Sequence, residues 1–216
     1  MGWGRCGLEP RDRNAMSPVV VEQNRTPVRL EGSGTIAVLY RVENKTVGKI
    51  RFYSLDCELD AGGLSIVWLD GVKPADSIAL LSSFIARDQR AERVSNSALA
   101  AIAAHGDPSA GPALIRFARQ DPNTRVRSEA LFWLAQKAGI KAAGEITAAI
   151  EQDPDTDVKK RAVFALSQLP KDEGVPLLIQ VAKSNKNPVV RKQAMFWLGQ
   201  SRDPRALDFF AQVLAK

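Results

Sequence analysis

One nine-residue motif returns three times, at a fixed interval of 32 residues, in the second half of the chain. The copies span 126–134, 158–166 and 190–198, and each has Ala, Phe and Leu at its fifth, seventh and ninth positions. A fainter copy begins another 32 residues upstream, at Val94. Such a period predicts a solenoid, in which each unit buries its apolar face only against its neighbours. Solenoids usually bind rather than catalyse, so the repeat indicates a class of function without naming a partner.

Helix pairs are predicted from about Val94 onward. The motif supplies one helix of each pair, and the other helices carry apolar residues that also step by 32: Leu114, Ile146, Leu178 and Phe210. Proline-containing breakers separate the helices, among them Asp121-Pro122, Asp153-Pro154 and Asp203-Pro204. Proline cannot continue a helix but fits its first turn, so pattern and punctuation both predict an all-α region.

The segment before the repeats has the pattern of β-strands. Residues 35–42 and 47–54 flank a polar turn at 43–46, which predicts a hairpin. A third strand is predicted over 64–69, after a turn that contains two glycines. A helix over 74–86 is expected to cover this sheet and to begin the solenoid.

The loop and second helix of each unit carry a resemblance to a known family. A proline-containing loop, then Val-Arg-x-x-Ala-x-x-x-Leu, then a second apolar helix resembles HEAT repeats of the short bacterial type, also seen in phycobilin lyase-like proteins. Residues 121–127 and 187–191 match best, whereas Ser95 departs from the pattern. The whole chain resembles a bacterial HEAT-repeat family that supplies a fold and a binding role but no reaction. Members of that group look exported, which favours a periplasmic location over a cytoplasmic one.

The expected fold class is therefore α+β. Residues 1–27 are predicted to form an extended lead-in, 28–73 a small antiparallel β unit, and 74–216 an all-α HEAT-like solenoid. No apolar run approaches the roughly 20 residues that span a bilayer, and the first residues lack the apolar stretch of a signal peptide. We therefore expect no membrane span, and either a cytoplasmic protein or a mature or trimmed chain.

The chain has two cysteines, Cys6 and Cys57. They either form one disulfide, which would indicate an oxidising compartment, or remain two thiols. Neither a CxxC spacing nor a nearby histidine supports a metal site, and no cofactor is expected.

The second helices offer a candidate binding site. In HEAT-like solenoids these helices line the concave side, and three Phe–Gln pairs four residues apart recur on them: Phe132 with Gln136, Phe164 with Gln168, and Phe196 with Gln200. Such a ladder would provide a groove for an extended peptide, with aromatic anchors and amide hydrogen bonds. Alternatively, the rings fill the gaps between stacked helices and the amides bond to loop backbone. Phe164→Ala separates the two, since a groove residue is expected to affect binding without unfolding the protein.

Cations recur at the starts of the same helices, at Arg127, Lys159 and Arg191. Positive charge there opposes the helix dipole, so something should offset it. Asp121 and Asp153 precede them and are also 32 apart, and we expect these acids to pair with the cations between repeats. The alternative is a site for phosphate or an acidic ligand.

The predicted function is a non-catalytic scaffold that binds a protein or peptide on its concave face. The alternative is a nucleic-acid-binding or DNA-glycosylase-like protein, with Trp133 and Trp197 on the concave face and Glu129 as its carboxylate. The net charge of +6 makes nucleic acid an unlikely partner because such proteins usually concentrate more cations on one face. The sole histidine, His105, is expected to cap a helix end; without a Ser or Cys partner in the motifs, it predicts no catalytic triad.

The terminal helix, 204–216, ends the array. A last repeat ought to present a polar outer face, yet this helix is rich in apolar residues. We expect Phe209 to be exposed, which would favour a homodimer through this helix.

Overall fold

The computed structural model describes residues 6–7, 35–55, 59–60, 65–85 and 92–215, with only the backbone described for 6–7 and 59–60. The chain divides into two compact units, Met1–Lys73 and Pro74–Lys216. Apart from residues 6–7, the predicted lead-in lies outside the described residues, and so does Cys57. The disulfide and the boundary at residues 27 and 28 stay predictions.

The first unit contains the predicted hairpin. Its strands, β2 (Ile36–Glu43) and β3 (Thr46–Ser54), pair antiparallel, and Asn44 and Lys45 form the turn with φ values of 50° and 62°. Two consecutive positive φ values give the turn the twist that a two-residue hairpin loop requires. The hairpin is therefore confirmed.

The predicted third strand is wrong. Residues 65–69 form no strand, and Val67 and Leu69 are 84% and 77% exposed. Two other short strands, β1 (Cys6–Gly7) and β4 (Leu59–Asp60), pair in parallel. β-branched residues favour a strand only where a neighbouring backbone offers hydrogen bonds, so local composition alone was a poor guide here.

The second unit consists of helices in pairs. Its first helices are α1 (Pro74–Ser83), α3 (Ala110–Gln120), α5 (Ala143–Gln152), α7 (Lys171–Ser184) and α9 (Pro204–Leu214). Its second helices are α2 (Glu92–Ala104), α4 (Thr124–Ala138), α6 (Thr156–Ser167) and α8 (Pro188–Ser201). A 3-10 turn, Gly139–Ala142, joins α4 to α5. The predicted α+β class and helical repeat region are confirmed.

The 32-residue period places equivalent side chains in equivalent surroundings. Leu114, Ile146 and Leu178 of the first helices are at most 1% exposed. The second helices pack extensively against one another, from α2 to α8, whereas the first helices touch one another far less. The core therefore lies between the two layers, and the second-helix layer is the tighter one. No helix in the described part of the chain combines the length and the hydropathy needed to cross a bilayer.

In the last helix, α9, the buried aromatic residue is Phe209, one residue before the position that the 32-residue period predicts. Phe209 is 3% exposed, Phe210 is half-buried, and Lys183 of α7 places its ammonium 5.6 Å from the centre of the Phe209 ring. The expectation that Phe209 is exposed is wrong, because α9 turns this side chain towards α7.

Each of the last three second helices begins with the same cap. The N-cap residues Asn123, Asp155 and Asn187 are 32 apart, and their side-chain oxygens accept backbone N–H bonds at 2.8–3.2 Å. Two residues earlier, a carboxylate or amide oxygen accepts the backbone N–H of the cap residue itself, at Asp121, Asp153 and Asn185. These paired acceptors satisfy donors that the helix cannot, and they give the three helices the same starting point.

Candidate functional site

The cation at the start of α4 lies in the interior. Arg127 donates from Nε and Nη2 to the carboxylate of Asp153 at 2.8 and 3.0 Å, and both side chains are less than a tenth exposed. Its Nη1 donates to the carbonyl of Asp121 at 2.9 Å. The hydrogen bond to Asp153 raises the pKa of Arg127 above its ordinary value, although burial opposes this shift. Arg127 thus joins α4 to the loop before α6.

The other two cations have different partners. Lys159 donates to the carbonyl of Glu151 at 3.0 Å, and Arg191 donates to the carbonyl of Asn185 at 2.8 Å. Asn185 stands 32 residues after Asp153, and its amide donates to the carboxylate of Glu151 at 3.0 Å. The structure therefore unites only one predicted cation with a predicted acid.

Asp121, the remaining acid of the predicted ladder, bonds to its own loop. Its carboxylate accepts the backbone N–H of Asn123 at 2.9 Å. At the position 26 residues earlier, where an arginine would correspond to Arg127, the chain has Ser95. The departure of Ser95 from the repeat pattern thus removes the cation from this contact.

Five rings form a continuous row across α4, α6 and α8, which we call the aromatic row: Trp133, Phe132, Phe164, Trp197 and Phe196. Phe132 and Phe164 are stacked, with ring centres 5.8 Å apart and planes within 6° of parallel. Phe164 then meets Trp197 at 4.8 Å, and Trp197 meets Phe196 at 5.0 Å. The row thus continues through Trp197, which the sequence reading assigned to the alternative DNA-binding hypothesis only.

The rings differ in exposure. Phe132, Phe164 and the two tryptophans are half-buried, so their contacts partly fill the space between helices. Phe196 is 53% exposed. Trp133 is less buried than Val126 and Leu134 of the same helix. Both interpretations of the Phe residues are therefore compatible with the structure, and Phe196 offers the most apolar surface.

The side chain of Arg161 lies over the rings of Phe132 and Phe164. Its guanidinium carbon is 5.6 Å from the centre of Phe132 and 5.0 Å from that of Phe164, and Nη2 donates to Glu129 at 2.8 Å. Positions 129 and 161 are equivalent in the repeat, so a side chain of one unit pairs with its counterpart in the next. The 32-residue spacing of Glu129 and Arg161 and their opposite charges could have identified this pair from the sequence.

The three glutamines are exposed. The amide of Gln168 donates to the hydroxyl of Ser167 at 3.1 Å, a contact within its own helix end. Gln168 and Gln200 both line a cleft of about 330 Å³ between the ends of α6 and α8 and the start of α7. We call this space the α6–α8 cleft; Lys171, Trp197 and Arg202 also line it. The aromatic row therefore meets this cleft at Trp197.

His105 has a serine partner that the motifs did not reveal. Its Nδ1 lies 2.7 Å from the carbonyl of Ala101, and its Nε2 lies 3.0 Å from the hydroxyl of Ser77. Because a carbonyl only accepts, Nδ1 carries the proton and Nε2 accepts from Ser77. His105 is 6% exposed, so the pair holds α1 against the end of α2. The predicted capping of a helix end by His105 is confirmed, and its serine partner lies outside the motifs.

Metal chemistry finds no support in the described ranges, where no group of three or more His, Cys, Asp or Glu residues could hold an ion. Glu129, the carboxylate that the alternative hypothesis requires, is engaged by Arg161. The most distinctive surface in the second unit is thus the aromatic row with the cleft at its end.

Comparison with known proteins shows a similarity in the last third of the chain. Residues 144–216 match the family model for HEAT repeats, which covers the helices from α5 to α9. No curated protein matches the chain. HEAT repeats generally mediate protein–protein interaction and generally serve as non-catalytic scaffolds. The likeness to bacterial and phycobilin lyase-like proteins stays a prediction, whereas the similarity of residues 144–216 to HEAT repeats supports the helical-repeat fold.

Proposed function

We propose that the second-helix face, along the aromatic row, binds an extended segment of a protein or peptide without catalysis. The observation that carries this proposal is the unbroken series of ring contacts across three repeats, which ends at the half-exposed ring of Phe196. Aromatic side chains on a rigid support are effective anchors because little conformational entropy is lost when they bind.

The packing of the helices supports the choice of face. The second helices are in closer contact with one another than the first helices are. A stack whose layers differ in this way is expected to curve towards the tighter layer, which supports assigning the aromatic row to the inner side. An inner curved face surrounds an extended chain better than an outer one does.

The distribution of charge favours protein over nucleic acid. Arg119, Arg125, Arg127, Arg161 and Arg205 each pair with a carboxylate of the same unit. A cation that is already paired offers little to a phosphate backbone, whose binding depends on displaced counterions. We therefore prefer a peptide ligand to the nucleic-acid alternative.

Phe196→Ala tests the proposal directly. We would select 12-residue peptides from a display library on the wild-type protein and measure their affinities for both proteins. Loss of a central aromatic anchor costs about 2 kcal/mol, so binding should weaken roughly 30-fold. Because Phe196 is half exposed, the melting temperature should change little.

Leu80→Ala is the matched control, because Leu80 is 47% exposed but lies on α1 in the first-helix layer. Its affinity for the same peptides should be unchanged. Equal affinities for wild type and Phe196→Ala, or selection of no peptide, would contradict the proposed function.

Phe164→Ala has a different expected outcome from the one that sequence alone indicates. Phe164 contacts Phe132, Trp197 and Arg161, so its removal loosens both neighbouring repeats. For a half-buried ring we expect a loss of about 2 kcal/mol in the free energy of unfolding, measured by chemical denaturation. An unchanged denaturation midpoint would instead assign Phe164 to the binding surface alone.

A homodimer through α9 also remains a proposal. Leu207 and Leu214 on this helix are 68% and 85% exposed, which leaves apolar surface for a second copy. Light scattering at two protein concentrations would detect such a dimer, and a monomer at both would exclude it over that range.

A further inference from the structure

The α6–α8 cleft is lined largely by apolar atoms, and its polar side chains comprise two cations together with amides and hydroxyls that can either donate or accept. Lys171 and Arg202 bring positive charge, Gln168 and Gln200 bring amides, and Trp197 brings an indole N–H. None of the lining residues is acidic. A ligand group that fits this chemistry is therefore an anion or another strong acceptor.

Both cations of the cleft are available. Lys171 and Arg202 are exposed, and neither forms an ion pair within the described part of the chain. Lys171 is the first residue of α7, where a positive charge opposes the helix dipole. An anion bound beside it would offset this unfavourable interaction.

Two of the acids near the cleft share a partner. Arg205 holds both Asp203, at 2.8 Å, and Asp172, at 3.2 Å. The hydrogen bond from Arg205 lowers the pKa of Asp203 to about 2, and the charge of Lys171 contributes less. Glu173, which follows Asp172 in α7, has a buried carboxylate oxygen without a hydrogen-bond partner among the described residues, but it does not line the cleft. Repulsion of an incoming anion by Asp172 and Asp203 is thus reduced.

Trp197 connects the cleft to the aromatic row. Its indole nitrogen is buried and has no hydrogen-bond partner among the described residues. Buried donors are nearly always paired because an unpaired one forfeits its bond to water. A ligand oxygen that reached this N–H would supply the missing bond.

We propose that the α6–α8 cleft binds the carboxylate of an aspartate or glutamate side chain, carried by a peptide whose apolar residues follow the aromatic row. Lys171 and Arg202 provide the charge, while Trp197, Gln168 and Gln200 provide neutral donors. The inference rests on the proposed function only in placing the acid within a peptide, since the cleft itself can be tested with a single amino acid.

The test uses the full chain and N-acetylglutamate amide, with N-acetylglutamine amide as the neutral analogue. In ¹⁵N–¹H spectra, the indole signals are assigned with Trp197→Phe and Trp133→Phe. We expect the glutamate derivative to move the Trp197 indole proton downfield to saturation, and the glutamine derivative to bind about tenfold more weakly. The Trp133 signal should not move.

Two double variants of equal charge separate the cleft from general attraction. Lys171→Gln with Arg202→Gln should weaken binding of the glutamate derivative about tenfold, since it removes two ion pairs. Lys186→Gln with Lys192→Gln lowers the net charge equally at exposed residues that do not line the cleft. This control should bind as the wild type does.

Several results would overturn the inference: no movement of Trp197, equal movement with the glutamine derivative, or tighter binding of N-acetylphosphoserine amide than of the glutamate derivative. If library peptides still depend on Phe196 in that case, the proposed function stands without the acidic preference. If glutamate binds but no peptide is selected, the cleft stands and the proposed function fails.

Discussion

Two neighbouring repeat interfaces solve the same structural problem with different chemistry. Between α4 and α6, the buried guanidinium of Arg127 meets the carboxylate of Asp153 in two hydrogen bonds. Between α6 and α8, the equivalent positions hold Lys159 and Asn185, which both bond to Glu151 instead. A strict 32-residue period therefore does not require the same interaction at each interface, and different polar pairs can occupy equivalent positions.

The two interfaces also differ in how closely their helices approach. At the second one, a Cβ atom on Gly174 would lie 2.5 Å from the carbonyl oxygen of Leu166. The equivalent residue at the first interface is Ala142, which is buried and carries a Cβ. The first interface thus depends on an ion pair, and the second on a close backbone contact.

Asp153→Ala should have the largest effect. It leaves the guanidinium of Arg127 buried without its carboxylate, and such losses cost about 3 kcal/mol. We expect chemical denaturation to show this decrease in the free energy of unfolding. Asn185→Ala, at the equivalent position of the second interface, should cost about half as much because it leaves no buried charge unpaired. Equal losses at the two positions would contradict the contrast between the interfaces.

Gly174→Ala should disrupt the packing of α7 against α6 at the second interface. The new methyl group cannot fit beside the Leu166 carbonyl unless α7 moves, and we expect a loss of about 2 kcal/mol. Calorimetry should show a lower melting temperature. Gly199→Ala is the matched control, since its Cβ would meet no atom within 4 Å and helix propensity should raise stability by about 0.5–1 kcal/mol. A stable Gly174→Ala protein would mean that α6 and α7 approach less closely.

Transfer of the ion pair should sharpen the comparison. Lys159→Arg combined with Asn185→Asp reproduces at the second interface the residue types of the first. Asn185→Asp also brings a carboxylate to the side chain that now contacts the carboxylate of Glu151 at 3.0 Å, so repulsion and desolvation offset the new attraction and we expect no net gain over the wild type. The double variant should still be more stable than the sum of the two single effects predicts, as a double-mutant cycle would measure. Strict additivity would show that the two side chains do not meet.

The smallest effect concerns α9 in acid. The pKa of Asp203 is lowered to about 2 from its ordinary 3.8, chiefly by the hydrogen bond from Arg205. A lowered pKa means that the stabilisation is complete above pH 3.8 and is lost as the pH falls through about 2. Between pH 4 and pH 2, the wild type should therefore lose more stability than Asp203→Asn. Equal losses of stability in the two proteins over this pH range would contradict this role of Asp203.

Periodicity predicted the helical core well because buried positions such as Leu114, Ile146 and Leu178 repeat at one interval. It could not predict which ring meets which. Phe164 contacts Trp197 rather than Phe196, a choice made by side-chain directions across two helices and not by spacing along one. The partner of His105 was also beyond reach, since Ser77 is 28 residues away and belongs to no motif.

The β unit shows the opposite limitation. The hairpin was predictable from its short polar turn, because local geometry determines which residues of β2 and β3 face each other. The strand expected at 64–69 required a pairing partner that no local pattern specifies. Sequence reasoning therefore succeeded where interactions are local or strictly periodic.

The position of Arg161 has a consequence for selectivity. Its guanidinium occupies the π faces of Phe132 and Phe164, and Glu129 holds it there. Lysine, arginine or methylated ammonium groups that seek an aromatic face would have to displace a resident charge of the same sign. Basic sequences are thus disfavoured at the centre of the row before any contact with a partner is made.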